Sequence, residues 1–186
     1  MNRYQKRRLV FIVAGILLIY FIFLRGYNEY KIEGVIKNAK AEDVWEYAAD
    51  FSKMKLLNPT ILDFRITADA GTYDHWTYSV VYKEKLSHWP YWINVGYADY
   101  VVRKFPKSVG ETMVIDSKHK TCFLAGFYCL YSIGEQKFEN INQKDTYYME
   151  SVQYQCPPLM GKYCKEEVEF QRKAIMHNLT TQFSQT

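Results

Sequence analysis

Short motifs that carry catalytic chemistry are missing from this sequence. It contains no Gly-x-Ser-x-Gly nucleophile turn, no His-Glu-x-x-His zinc motif, no phosphate-binding loop and no spaced pair of carboxylates. The formal net charge is only +4, and part of it lies in the first eight residues, which argues against a nucleic-acid-binding surface. We therefore expect no cofactor, no metal and no nucleic-acid partner, and the balance leans against an enzyme.

Cysteine is absent from the first 121 residues, and the four that follow are Cys122, Cys129, Cys156 and Cys164. No Cys-x-x-Cys pair occurs and the four histidines are scattered, so a zinc site is disfavoured. An even number of cysteines in one part of a chain is typical of disulfides in an oxidising compartment. The spacing suggests two short loops, Cys122–Cys129 and Cys156–Cys164, and leaves two other connectivities open.

Charge is absent from residues 9–24, LVFIVAGILLIYFIFL, which follow a basic segment at residues 1–8. This run is slightly shorter than the ~20 residues that span a bilayer, but short spans are tolerated in thin membranes. No small-x-small cleavage site follows, which favours an uncleaved signal anchor over a cleaved signal peptide. Because the basic residues precede the run, we expect a type II, single-pass membrane protein. Its domain would lie in the lumen of the endoplasmic reticulum or Golgi, or at the cell surface.

The rest of the chain reads as one domain over residues 30–186, joined to the anchor by a tether at residues 25–29. Residues 31–37 alternate as a first strand, and residues 39–51 and 52–57 indicate two helices that end at Asn58-Pro59. Six more strands are predicted at residues 61–68, 73–83, 93–104, 111–121, 128–139 and 145–156. Residues 164–183 contain no Pro or Gly and predict a long final helix.

One stripe of the final helix is apolar except for a single arginine. It carries Cys164, Val168, Arg172, Ile175, Leu179 and Phe183. A single amphipathic helix after an antiparallel meander suggests that the sheet curls around it. The guanidinium of Arg172 then needs a partner. We weigh a structural bridge to a strand carboxylate, such as Asp99 or Asp116, against a counter-ion for a carboxylate or phosphate head group.

The element order β-α-α-β6-α resembles the START-like superfamily, also called SRPBCC, helix-grip or polyketide cyclase/pollen-allergen-like. The local match is best at residues 41–47, AEDVWEY, where such proteins often carry a Val-Trp pair, and at Asp50 and Asn58-Pro59. The closing helix, with Glu169, Arg172 and Leu179, is also similar. The resemblance covers roughly residues 30–184. It implies an α+β fold in which a seven-stranded curved antiparallel sheet surrounds a long C-terminal helix.

The hairpin loops of a meander alternate between the two ends of its sheet. The loops at Gly71, 106–110 and 140–144 are polar and share one end, whereas those at 86–92, 122–128 and 157–161 are apolar and share the other. Exposed loops are not normally so apolar. In the resembling fold the first strand is antiparallel to the last and the ligand gate lies at this end, so the membrane stem would enter there too.

These observations predict a cavity between sheet and helix that takes a lipid- or sterol-like ligand from the bilayer through the apolar end. The residues assigned to ligand binding are Arg172, Trp76, Tyr78, Trp89, Trp92, Phe123, Phe127, Ile175 and Leu179. The alternatives are a non-catalytic module with a filled core that docks on a membrane partner, and a cyclase- or dehydratase-like enzyme with an inward-facing acid and base. Asn178 heads a glycosylation sequon, but it lies at the edge of the apolar stripe.

Overall fold

The computed structural model describes residues 2–105, 112–142 and 144–184, and it confirms the α+β helix-grip architecture. Its helices are α1 (Arg3–Phe23), α2 (Ala41–Ala49), α3 (Phe51–Leu57) and α4 (Gly161–Ser184). Its strands are β1 (Gly26–Ile36), β2 (Ile61–Thr72), β3 (His75–Lys85), β4 (Ile93–Lys104), β5 (Thr112–Phe123), β6 (Tyr128–Asn140) and β7 (Thr146–Cys156). They form one antiparallel sheet in the order β1-β7-β6-β5-β4-β3-β2. Three parts of the sequence lie outside the described residues. They are the predicted turn at 106–110, residue 111 of the predicted strand 111–121, and residues 1, 143 and 185–186.

The segment after α1 is a strand and not a tether. β1 begins at Gly26, opposite Cys156 of β7, and stays paired as far as Ile36, opposite Thr146. The alternation at residues 31–37 marked only the inner part of this strand, because its first residues are mostly polar and exposed. Pairing with β7 therefore extends the domain to the residues that directly follow α1.

The prediction of a transmembrane anchor is not supported. Within the described part of the chain, no helix combines the length and the apolar character needed to cross a membrane. The uncharged run of residues 9–24 lies in α1, where apolar side chains such as Phe11 and Ile16 are exposed.

The β2–β3 hairpin turns later than predicted. β2 continues through Gly71 to Thr72, and the turn is formed by Tyr73 and Asp74. Gly71 has a φ of +132° and faces the backbone of Trp76 so closely that a Cβ atom would lie 2.5 Å from it. Only glycine fits there, so this glycine marks a close approach between strands and not a turn.

Helices α2 and α3 cover the inner face of the sheet at its polar-loop end. Trp45 is fully buried and its ring packs against that of Trp76 at 5.2 Å. The backbone N–H of Ala41 at the start of α2 donates to Asn140 Oδ1 (3.0 Å), and Asp50 caps α3 by accepting from the Ser52 N–H (2.9 Å). These caps fix both helices over the sheet, because they satisfy N–H groups that have no partner within the helix.

Helix α4 closes the domain and begins three residues before its predicted start. Ile175 and Leu179 are buried in the main core, and the ring of Phe183 packs on Tyr47 at 5.7 Å. Nearer its N-terminus, Cys164 and Val168 pack on a second cluster formed by β7. The helix therefore bridges an apolar core at one end of the sheet and a smaller cluster at the other.

Both disulfides close the local loops that the spacing suggested. Cys122–Cys129 links β5 to β6 across the hairpin, where the two residues are direct partners in the ladder. Cys156–Cys164 links the end of β7 to the first turn of α4. Two of the three apolar loops are thereby fixed by covalent bonds.

Candidate functional site

The inner face of the sheet changes character along its length. Under α2 and α3 it is apolar, with Val102, Met113 and Phe138 buried. Toward the apolar loops it becomes polar, and we call these inward residues the polar band. They are Tyr82, Glu84, Asn94, Ser117, His119, Thr121, Ser132, Gln136 and Glu150. Tyr82 lies at the border of the two parts, because it belongs to the main core and its ring lies 5.9 Å from that of Phe51 in α3.

Several polar-band residues are only half-buried although they point inward. Ser117, His119, Thr121 and Ser132 all fall in this class, and they are neighbours on β5 and β6. A filled core would exclude water from inward residues in the middle of a sheet. The inner face is therefore accessible here, between the β5–β6 hairpin and α4.

Arg172 reaches the polar band from α4 and is paired with Glu150. Its Nη1 lies 2.6 Å from Glu150 Oε1, and both side chains are shielded from solvent. Burial opposes the charge on Arg172, but the Glu150 carboxylate outweighs it and raises the pKa of the guanidinium. The structural bridge is therefore present, although its partner is neither Asp99 nor Asp116. Those two lie on the outer face, where Asp99 accepts from Ser79 and Asp116 pairs with Arg103.

Glu84 is a buried carboxyl group without a cation beside it. It is 5% exposed, at the inner end of β3 opposite Asn94. Burial and repulsion from Glu167 raise its pKa from the ordinary value of 4.5 to about 7, although a Thr121 hydrogen bond and the charge of Arg172 act in the opposite direction. The carboxyl group therefore changes charge near neutral pH.

His119 and Tyr82 form a polar pair on the neighbouring part of the band. The Tyr82 hydroxyl lies 3.2 Å from His119 Nδ1. Burial and the nearby Arg172 lower the pKa of His119 to about 3, and burial raises the pKa of the Tyr82 phenol. Both groups are thus uncharged at neutral pH, and the pair offers hydrogen bonds and no charge.

Glu167 of α4 fastens the β3–β4 loop over the site. It accepts from the Ser87 backbone N–H (3.0 Å), the Ser87 hydroxyl (2.7 Å), the His88 backbone N–H (3.3 Å) and Gln171 Nε2 (3.0 Å). Burial raises its pKa, but these hydrogen bonds outweigh burial and bring the pKa below its ordinary value. The loop that carries Trp89 and Trp92 is held to the helix by this carboxylate.

Four of the predicted ligand-binding residues pack in the main core. Tyr78 stacks on Tyr100 with ring centroids 4.7 Å apart and donates its hydroxyl to the Ala49 carbonyl (2.8 Å). Trp76 packs on Trp45, and Ile175 and Leu179 are fully buried. These contacts account for all four as core residues, and contact with a ligand stays a prediction for them.

The other aromatic residues of the prediction lie at the apolar end. Trp89, Trp92 and Phe127 are largely exposed, and Phe123 ends β5 on its inner side. We call the exposed loop residues the apolar rim. The rim consists of Trp89, Tyr91, Trp92, Leu124, Phe127, Leu159 and Met160. All three loops therefore present apolar side chains to the outside.

The end of α1 meets this same rim. β1 starts opposite Cys156, and α1 lies beside the short 3-10 turn Pro158–Met160. The Arg25 guanidinium sits over the Tyr128 ring at 5.3 Å. The prediction that the N-terminal apolar segment enters at the apolar end is thus confirmed by the strand register.

A surface cleft of about 360 Å³ lies beside the β3–β4 loop. It is lined by Pro59, Leu62, Leu86, Pro90 and Phe170, among others, and has Ser87 and His88 at its edge. This volume falls within the range of small-molecule sites. Ser87 and His88 are also the residues that Glu167 holds, so the cleft borders the loop that is fixed to α4.

Asn178 occupies a capping position that conflicts with glycosylation. Its Nδ2, the atom that would carry a glycan, donates to the carbonyls of Leu57 (2.9 Å) and Leu56 (3.3 Å) at the end of α3. These carbonyls have no partner within the helix. Attachment of a glycan would remove these hydrogen bonds, so the folded protein disfavours it.

Glu84 and Glu150 are functional candidates that the sequence analysis missed. The alternation of Trp76, Tyr78, Val80 and Tyr82 continues to Glu84, which the predicted strand stopped one residue short of including. Glu150 likewise continues the alternation of Tyr148 and Val152 on β7. A charged residue at an inward position of a predicted strand was therefore the signal in the sequence that could have identified both as candidate site residues.

No protein-family model matches the sequence, and no curated protein matches it. The similar solved structures include the Zhui aromatase/cyclase from Streptomyces sp. R1128, at 12% identity and a TM-score of 0.57, covering 87% of this chain and 94% of that one. A START superfamily protein from Mycobacterium smegmatis is 12% identical with a TM-score of 0.55, covering 86% and 97%. The protein TTHA0849 from Thermus thermophilus is 12% identical with a TM-score of 0.60, covering 84% and 97%. The chain therefore shares its helix-grip fold with these structures.

Proposed function

We propose that this domain binds a small hydrophobic molecule between α4 and the polar band. The observation that carries the proposal is the half-buried state of inward residues on β5 and β6, among them His119, Thr121 and Ser132. A filled core would bury them, as it buries Met113 and Ile115 farther along the same strand. A few polar groups within an apolar enclosure are typical of small-molecule sites. The similar START-like and aromatase/cyclase structures are in accord with this use of the fold.

A bulky residue placed on the inner face tests the binding site. Ser132→Trp would fill the space between β6 and α4, and we expect it to reduce the amount of bound hydrophobic molecule at least about tenfold, because overpacking costs ~1–3 kcal/mol. The measurement is mass spectrometry of organic extracts of the full-length protein, purified from a host with an oxidising secretory compartment.

The matched control is Tyr131→Trp, since Tyr131 is the neighbouring residue on the outer face of the same strand. Because α1 is identical in all three proteins, any lipid that it retains is common to them, and only the difference between variants reports on the inner site. Equal extracts from wild type and Ser132→Trp would contradict ligand binding and favour the alternative of a filled-core interaction module.

We further propose that the ligand comes from a membrane that the apolar rim contacts. The rim combines exposed aromatic and aliphatic side chains, which is unusual on a surface that faces only water. Trp and Tyr side chains favour the membrane–water interface. The exposed apolar side chains of α1 leave the domain beside this rim and provide a second attachment.

Tryptophan fluorescence distinguishes a rim in the bilayer from a rim in water. Of the four tryptophans, Trp45 and Trp76 lie in the core and only Trp89 and Trp92 are exposed. In liposomes, brominated lipids should quench the wild-type fluorescence and leave a Trp89→Phe/Trp92→Phe variant almost unchanged. Trp76→Phe is the control and should be quenched like the wild type. Absence of quenching in liposome-bound wild type would show that the rim stays outside the bilayer.

The compartment follows as part of the same proposal. Two disulfides stabilise the domain, and such bonds persist in the secretory lumen or outside the cell. The basic residues that precede the apolar run of α1 would then remain on the cytosolic side. Protease protection of the domain in sealed microsomes, together with resistance to alkaline extraction, tests this arrangement.

One observation bears on the alternative of a cyclase- or dehydratase-like enzyme, but it does not identify a reaction. Glu84 and His119 both face inward, as the acid and base of such an enzyme must, but the lowered pKa of His119 makes it a weak base near neutral pH. No further group in the polar band singles out a substrate bond, so this alternative stays a prediction.

A further inference from the structure

The polar band and the helix that faces it carry an excess of negative charge. Three carboxyl groups meet there, Glu84 on β3, Glu150 on β7 and Glu167 on α4. Arg172 is the one permanent cation that faces them within the described residues, since His119 is uncharged and His88, whose Nδ1 lies 3.3 Å from Glu167 Oε2, carries a charge only when it is protonated. The fully ionised site therefore holds two more negative than positive charges.

Two of the three carboxylates are already satisfied. Glu150 accepts from Arg172 (2.6 Å), from Gln136 Nε2 (3.1 Å) and from the Tyr148 hydroxyl (2.9 Å). Glu167 is held by the hydrogen bonds of the β3–β4 loop and Gln171. Neither of these carboxylates requires a ligand.

Glu84 is the carboxylate that remains. Its side chain is as buried as the other two, yet none of the ion pairs among the described residues includes it. The polar neighbour that lowers its pKa is Thr121, itself half-buried at the accessible side of the band. A buried carboxylate without a charged partner is costly, and natural proteins rarely keep one without a use.

We propose that Glu84 receives the polar end of the ligand and that this end is a protonated amine on a hydrophobic body. This inference rests on the proposed binding site and specifies its ligand class. An ammonium group supplies the missing positive charge and up to three hydrogen-bond donors. A carboxylate or phosphate would instead meet uncompensated negative charge, because Glu150 already matches the charge of Arg172, although the Nε of Arg172 is buried without a hydrogen-bond partner in the described part of the chain.

The proposal fixes how binding depends on pH. The charged and titratable groups around Glu84 are Tyr82 on its own strand, Tyr100 on β4, His119 on β5, Glu167 and Arg172 on α4, Glu150 beyond Arg172, and His88 in the β3–β4 loop, which contacts Glu167. The pKa of Glu84 is about 7, so its carboxyl group is charged at pH 8 and mostly protonated at pH 5.5, and loss of the pH dependence in Glu84→Gln assigns the effect to this group. An aliphatic amine stays protonated up to about pH 10. Amine binding should therefore weaken about tenfold or more when the pH falls from about 8 to about 5.5.

Three probes that share one alkyl chain test the ligand class. Decylamine, 1-decanol and sodium decanoate are titrated separately into the full-length protein, embedded in uncharged nanodiscs, by isothermal titration calorimetry. Empty nanodiscs are titrated in parallel to subtract partitioning into lipid. We expect decylamine to bind at least about tenfold more tightly than the other two at pH 8, because hydrogen bonds to a charged group are the stronger kind.

Glu84→Gln should remove the preference for the amine, since it keeps the size of the side chain and removes its charge. Glu166→Gln, the same change on the exposed side of α4, should bind like the wild type. Decanoate binding as tightly as decylamine, or an undiminished preference in Glu84→Gln, would overturn the amine assignment alone. Failure of all three probes to bind above the empty nanodiscs would instead contradict the binding site itself. If Glu84→Gln is unstable, the comparison of the three probes on the wild type, and the pH dependence of decylamine binding, still test the amine assignment.

Discussion

Replacing Arg172 with Met should lower the free energy of unfolding by about 3–5 kcal/mol, because the substitution leaves the Glu150 carboxylate buried without its charged partner. Glu150 is 2% exposed. It would keep only the neutral donors Gln136 and Tyr148, at 3.1 and 2.9 Å. These donors cannot neutralise the carboxylate, which must take up a proton or move toward water. Urea denaturation of the full-length protein with its disulfides intact, followed by circular dichroism, measures the loss.

The neighbouring Lys173 provides the control for this experiment. Its ion pair with Glu169 has a similar distance of 2.5 Å, but the lysine side chain is 62% exposed. Lys173→Met should therefore cost less than about 1 kcal/mol. A second variant, Arg172→Met with Glu150→Gln, should recover most of the lost stability, because the amide retains neutral hydrogen-bond partners and carries no charge. A single Arg172→Met variant as stable as Lys173→Met would show that the bridge is not formed as the geometry indicates.

The double variant also tests the head-group role of Arg172. If the guanidinium binds a ligand anion, uptake of decanoate is lost together with it. If Arg172 serves only to neutralise Glu150, the double variant folds and binds the same ligands as the wild type. We expect the second outcome, because Glu150 already neutralises the charge of Arg172 at 2.6 Å, although the Nε of Arg172 is buried without a hydrogen-bond partner among the described residues.

Much of the fold could be predicted because the meander has a simple periodicity. The alternation of apolar and polar residues predicted both ends of β4 and the first residue of β6 correctly. The apolar composition of three loops predicted which end of the sheet is apolar. The first half of β1 carries no such pattern. It becomes a strand because β7 offers an unpaired edge, which is tertiary information.

The candidate site was less predictable because it depends on which strand lies under which turn of α4. The stripe of the final helix identified Arg172 as buried, but Asp99 and Asp116 were the wrong partners, since the register places both on the outer face. The inward position of Glu84 could have been predicted by extending the alternation of β3 by one more inward residue. Its isolation from cations, however, follows from the positions of Arg172 and Glu150 and cannot be obtained from local sequence.

The second large effect expected is a gain in stability from Glu84→Gln that depends on pH. The pKa of Glu84 is about 7 in the folded protein, against an ordinary value of 4.5. Between these two values the unfolded chain binds fewer protons than the folded protein, so the free energy of unfolding falls as the pH rises. The penalty is small near pH 5 and complete above about pH 8, where it amounts to about 3 kcal/mol.

Glu84→Gln removes that penalty, so the variant should be about as stable as the wild type near pH 5 and about 3 kcal/mol more stable near pH 9. Urea denaturation at both pH values gives the comparison, and Glu166→Gln on the exposed side of α4 should show no such change. An equal difference at the two pH values would mean that Glu84 keeps an ordinary pKa. A protein that retains a destabilising buried carboxylate has a reason to do so if a cationic ligand neutralises it. Decylamine should accordingly stabilise the wild type near pH 9 and have much less effect on Glu84→Gln. The pH-dependent stability of the empty protein and its preference for an amine ligand would then both depend on the charge of Glu84.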